Sequence, residues 1–121
     1  MNYDNNNIFA KIIRAEIPCN KIYEDDFVLS FYDINPQKKI HALVIPKGKY
    51  IDLDDFNTNA SNEEIIGLMK GITTVAKKLG ISSIDGQGYR ALANISDYGG
   101  QEVPHLHFHL FGGEKVGKMV S

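Results

Sequence analysis

Tryptophan is absent from this chain of 121 residues, and cysteine occurs once, as Cys19. A lone cysteine cannot close an intrachain disulfide or build a four-thiolate zinc site, and its scarcity fits a reducing compartment. No apolar run comes near the roughly 18 residues that a membrane span requires. Neither sign of charge dominates. The 13 Lys and Arg stand against 15 Asp and Glu, for a net charge of -2 and a pI of about 6.0. Such a chain has no global basic field to draw nucleic acid or an anionic membrane, although a single bound phosphate needs only local donors. The stretch Met1 to Asn7 is polar and Asn-rich, without the basic-then-apolar pattern of a signal peptide. The expectation is one soluble cytoplasmic domain spanning residues 1–121, with residues 1–7 a frayed end.

What is present has clear local periods. Ile8, Phe9, Ile12 and Ile13 recur at helical spacing behind Asn6 or Asn7 as a cap, and Pro18 lies beyond the end of that short helix. Lys21–Glu24 and Phe27–Tyr32 read as strands around an Asp25-Asp26 turn. Pro36 keeps residues 33–37 a loop. Ile40–Ile45 is rich in strand formers and ends at Pro46, and 52–60 reads as an acidic surface loop. Ser61-Asn-Glu-Glu64 has the form of a capping box. Ile65, Leu68, Met69, Ile72, Val75, Ala76 and Leu79 then share one helical face, with Gly80 as the stop. Tyr89–Asn94 and Leu106–Phe111 supply the last strands. Several adjacent strands are joined by loops too short for a crossover helix, which favours antiparallel pairing. The pattern therefore predicts an α+β domain: about five mostly antiparallel strands with one long and one short helix.

The chemistry concentrates in Val103-Pro-His-Leu-His-Phe-His-Leu110. Three of the four histidines, His105, His107 and His109, alternate strictly, which puts their imidazoles on one face of a strand and Leu106, Phe108 and Leu110 on the other. Burying such a row is costly unless each ring has a partner. Two chemistries use clustered imidazoles. Zinc could take two rings spaced i and i+2, but the Cα atoms of His105 and His109 lie roughly 13 Å apart on a straight strand. A third ligand would then come from His41, Asp33 or Glu102. Attack on phosphorus fits the row better and calls for no metal and no cofactor. An imidazole titrating near 6.5 is a competent nucleophile. The central ring would attack while its neighbours hold the charge that develops. The Gly99-Gly100 turn brings backbone N–H groups close to a phosphate, and Gln101 adds an amide. A binding module, a nucleotide sensor or partner scaffold with incidental turnover, is a third reading of the same face.

The ordered segments Ile8–Arg14, Glu16–Pro18, Phe31–Gln37, His41–Pro46, Gly99–Val103, His105–Phe111 and Gly112-Gly113 closely resemble the histidine triad (HIT) family, in its Hint-like purine nucleoside phosphoramidase branch. The resemblance implies a homodimer whose two sheets join into one, each subunit taking a purine nucleotide. It implies cleavage of the P–N bond of nucleoside 5′-phosphoramidates through a nucleotidyl intermediate on His107. His105 and His109 would bind phosphate oxygens, fix the nucleophile's tautomer and help to protonate the leaving group, with His41 completing the cluster. Asp33 would take the ribose hydroxyls, and Ile17, Phe31, Ile34 and Leu43 the base. Asn94, Gly100, Gln101 and the backbone of Val103 would hold the phosphate side. The transferase branch has Gln where this chain has His109, so hydrolysis is implied over nucleotidyl transfer.

Overall fold

The computed structural model describes residues 2–120. Helix α1 (Ile8–Ile13) is followed by β1 (Lys21–Glu24), β2 (Val28–Tyr32) and β3 (Ile40–Pro46). Two helices come next, α2 (Leu53–Asn59) and α3 (Asn62–Lys78), and then β4 (Arg90–Leu92) and β5 (Phe108–Gly112). The strands form one antiparallel sheet in the order β1-β2-β3-β5-β4. The α+β expectation holds. The described residues form three helices, however, and the two last strands are shorter than expected.

The capping box at α3 is fully formed: Ser61 accepts from the Glu64 N–H, and Glu64 accepts from the Ser61 N–H. Two basic residues, Lys77 and Lys78, close the helix on the negative end of its dipole. Gly80 follows at φ +72°, a conformation that costs any other residue a Cβ clash. Leu68, Ile72, Val75 and Ala76 are buried against the sheet, while Met69, placed by the sequence on that face, is 47% exposed.

The 52–60 segment is helix α2, not a loop. Asp52 caps it by accepting from the Asp55 N–H at 2.8 Å, and Phe56 anchors it in the core. Its acidity reflects a favourable first turn, where carboxylates meet unpaired N–H groups. The expectation of a frayed end also fails for residues 3–7. Asn7 is buried and caps α1, and Tyr3 reaches the first histidine of the row.

Both faces of the central strands are covered, which is why β3 reads as a nearly continuous apolar run. On one face Val28, Ala42, Val44, Leu106 and Leu110 pack with Phe56 and α3. On the other, Leu29, Phe31, Leu43 and Ile45 pack with Phe9 of α1. Cross-strand partners share a face. The Leu43–His109 pairing therefore sets the histidine row on the α1 side, away from the long helix.

Candidate functional site

The regular strand β5 begins only at Phe108, so His105 and His107 lie in the irregular approach to it, His105 at the end of a bend over residues 103–105, and only His109 is in the ladder. The approach is pinned by its backbone: the Leu106 N–H donates to the Tyr50 carbonyl at 2.9 Å, and the His105 N–H to the Val103 carbonyl at 2.8 Å. Leu106 is buried, as the alternation requires.

Each imidazole has defined partners, and these settle where its hydrogens are. A carbonyl only accepts, so His105 donates Nε2–H to the Pro46 carbonyl at 2.8 Å. Its Nδ1 is then an acceptor, filled by the Tyr3 hydroxyl at 2.6 Å. His107 donates Nδ1–H to the His105 carbonyl at 2.7 Å, which leaves the Nε2 lone pair without a hydrogen. The Gln37 N–H points at His41 Nδ1 from 3.2 Å, so His41 carries its hydrogen on Nε2. That Nε2–H faces His109 Nδ1 at 2.9 Å, and Asp33 Oδ2 lies 3.4 Å from the same nitrogen. His109 is left with Nε2–H as a donor. Among the described residues no buried side-chain nitrogen or oxygen lacks a partner, which offsets the cost of burying the row.

Burial is the leading influence on all four rings, pushing each pKa below 6.5 and favouring neutral imidazole. His105 and His109 fall to about 4. Asp33 opposes the fall at His41, His107 and His109. Aromatic edges complete the enclosure: Phe9 stands edge-on to His107 at 4.9 Å, and Phe111 lies parallel to His109 at 5.7 Å.

The structure brings together His41, His107, His109 and Asp33. Both ring nitrogens of His105 are hydrogen-bonded inside the fold and the side chain is fully enclosed, which leaves no ring donor free for a phosphate; its backbone carbonyl accepts the His107 Nδ1–H, in line with the expected part in fixing that ring's tautomer. Gln101 is likewise spent on structure: its amide nitrogen donates to the Ile51 and Val103 carbonyls, and its oxygen accepts from the Ser96 N–H. Phe31 and Leu43 are core residues beneath the site, Ile17 is half-buried, and Ile34 is 86% exposed. Gly100 closes an exposed turn at φ +77°. Asn94 and His109 line a cleft of about 490 Å³ together with Gln37, Lys38, Phe111 and Met119. Sequence reasoning missed Tyr3, Phe9, the Gln37 N–H and the Pro46 carbonyl. The last two are backbone groups and carry no residue signature.

Asp33, His41 and His109 also present three ligand-type atoms within 4.8 Å of one another. Their donor chemistry fits a hydrogen-bonded chain better than a metal. Tetrahedral zinc at about 2.05 Å holds its ligand nitrogens about 3.3 Å apart, whereas these stand at 2.9 Å. A metal on His41 Nε2 would also force the ring hydrogen onto Nδ1, against the Gln37 N–H.

Comparison with known proteins gives a consistent result. The HIT domain family model matches residues 14–116. A HIT-like protein from Azospirillum brasilense is 49% identical over 119 residues, covering 98% of this chain and 95% of that protein. The purine nucleoside phosphoramidase of Escherichia coli K12 is 43% identical over 114 residues, covering 94% of this chain and 92% of that protein. Among solved structures, a HIT family hydrolase from Clostridium thermocellum superposes with a TM-score of 0.85 at 38% identity, covering 98% and 99% of the two chains.

Proposed function

Because this chain belongs to the HIT domain family, we propose that it is a hydrolase of purine nucleoside 5′-phosphoramidates with His107 as its nucleophile. One observation carries the reading. His107 is held as the Nδ1–H tautomer by its neighbour's carbonyl, so the lone pair needed for attack sits on Nε2, beside the donor ring of His109. A nucleophile so fixed needs no base to deprotonate it near neutral pH, since burial holds its pKa below 6.5.

In the proposed reaction His107 Nε2 bonds to the α-phosphorus as the P–N bond breaks, and the amine departs. Water then cleaves the nucleotidyl-histidine bond, releasing the mononucleotide and returning the imidazole. The amine leaves carrying a proton that its nitrogen takes up from solvent, and the water that cleaves the nucleotidyl-histidine bond gives one back, so the net change is addition of water across the P–N bond. His109 Nε2–H donates to the phosphoryl oxygens as charge builds on them, and His41 fixes that tautomer. Asp33 receives the ribose diol, a pair of donors suited to a carboxylate. The phosphoramidase name of the Escherichia coli relative supports the substrate class. We also infer a homodimer joined along β4. That strand has a neighbour on one side only among the described residues, and an open edge invites pairing.

Mixing the protein with adenosine 5′-phosphoramidate, quenching in alkaline denaturant and mapping peptides by mass spectrometry tests the mechanism. The expected result is AMP release with a transient adenylyl group on His107. An adduct on another side chain, or turnover with none at any quench time, overturns it. Sedimentation tests the dimer, a monomer at micromolar concentration refuting it.

A further inference from the structure

We propose that Tyr3 is a positioning residue for the site: its hydroxyl locks the His105 ring, and the His105 carbonyl in turn holds His107 with Nε2 open for attack. Tyr3 lies upstream of the stretch matched by the family model. It nevertheless makes a 2.6 Å bond to the first histidine of the row, with its ring edge-on to the imidazole at 5.7 Å. The inference extends the proposed role of His107 and rests on it.

The segment that delivers Tyr3 is tethered on several sides. The Asp4 carbonyl accepts from Asn7 Nδ2 at 2.7 Å and from the Asn7 N–H at 3.2 Å. Arg14 Nη1 donates to the Asn5 carbonyl at 2.8 Å. Asn7 also caps α1 through the Ala10 N–H, and two residues further on Phe9 packs edge-on against both His105 and His107. The turn at residues 4–7 and the first helix therefore form one unit that backs the nucleophile.

The bond matters because of what each end can do. The His105 ring is fully enclosed, with Nε2–H committed to Pro46 and Nδ1 left as a dry acceptor. Only the Tyr3 hydroxyl fills that acceptor among the described residues. Without it the ring has one anchor instead of two and is free to pivot about Pro46. The pivot reaches the His105 carbonyl, which is the group that keeps the hydrogen of His107 on Nδ1. A loosened carbonyl lets that hydrogen populate Nε2, where it blocks attack. Nucleotide contacts on the far side of the site, at Asp33 and the base slot, do not involve this bond.

Tyr3→Phe keeps the ring packing and removes only the hydroxyl. A neutral hydrogen bond of this kind is worth about 0.5–1.5 kcal/mol, so kcat on adenosine 5′-phosphoramidate is expected to fall about 3- to 10-fold with KM unchanged. Imidazole ¹⁵N spectra of the free protein supply a readout independent of turnover. They should show His107 as one Nδ1–H tautomer in the parent and as a mixture in Tyr3→Phe. Tyr3→Leu, which also loses the ring, should show the same mixture with a lower melting temperature. A Tyr3→Phe variant with unchanged kcat and a single His107 tautomer overturns the proposal. So does a fall in kcat with the tautomer unchanged. If the parent protein proves inactive on phosphoramidates, the proposed function fails, and the spectra still decide the role of Tyr3.

Discussion

His107 donates its Nδ1–H to the carbonyl of His105, two residues earlier in the same chain, at 2.7 Å. The bond is local and lies in a stretch whose backbone is itself pinned to Tyr50 and Val103. The protein therefore presents a lone pair on His107 Nε2 before any molecule binds.

His107→Ala should reduce kcat on adenosine 5′-phosphoramidate by roughly a thousandfold or more, because no other imidazole offers a free lone pair to the same position. AMP affinity, measured by calorimetry, should stay within a few-fold of the parent, since the nucleoside contacts proposed above lie elsewhere. A variant that retains several per cent of the activity would assign the attack to another group.

Stability should fall as the solution is acidified from neutrality. All four imidazoles have folded pKa values below 6.5, with burial the leading cause, whereas in the unfolded chain they return to about 6.5. Between the two values the unfolded chain binds protons that the folded one refuses, so stability is complete above pH 6.5 and is lost as pH drops through about 4. For the enclosed His105 ring alone the fall amounts to roughly 3 kcal/mol. The Glu24 carboxylate, held down to about 2 by Lys21 and Lys47, titrates below this window. Urea midpoints measured from pH 7.5 to 4.5 should decline steadily; a level profile from 7 to 5 contradicts the assignment.

Much of this fold is written in short-range chemistry, and that part was legible. The capping box Ser61–Glu64, the β-branched run of β3 and the Gly80 stop all act within a few residues of themselves. Helix α2 escaped because its signals, Asp52 as cap and Phe56 as sole anchor, are sparse in a polar stretch. The histidine row was legible as an alternation. Its division of labour was not, because that depends on backbone groups, which carry no residue signature: the distant Pro46 carbonyl onto His105, and the nearby Gln37 N–H turned back onto His41. The His41–His109 contact needed the β3–β5 register, which no local pattern encodes. Tyr3 was hidden in a stretch whose polarity resembles a loose end.

Gly67→Ala should destabilise the protein although alanine is the better helix former by about 1 kcal/mol. A Cβ at this position of α3 would sit 2.6 Å from Cγ and 2.7 Å from Cβ of Phe27, atoms near the backbone that cannot swing clear. Overpacking of this kind costs about 1–3 kcal/mol, so the net effect is a loss and should appear as a lower urea midpoint. A rise in the midpoint would mean that Phe27, itself 37% exposed, moves outward at little cost.

Asp33→Asn separates two jobs of one carboxylate. As an acceptor for the ribose diol, the charged group should be worth roughly tenfold or more in KM. As a charge, it raises the pKa of His107, His109 and His41 against the pull of burial. The amide keeps an oxygen for the Asn35 N–H, now accepted at 2.8 Å, so the loop should hold its shape. Removing the charge makes the imidazolium of His107 less favourable, which moves the acid limb of kcat/KM to lower pH. A variant damaged only in its fold would lose rate at every pH and leave the limb in place. A limb displaced to higher pH would contradict the field assigned to Asp33, and an unchanged KM would remove it from the nucleotide.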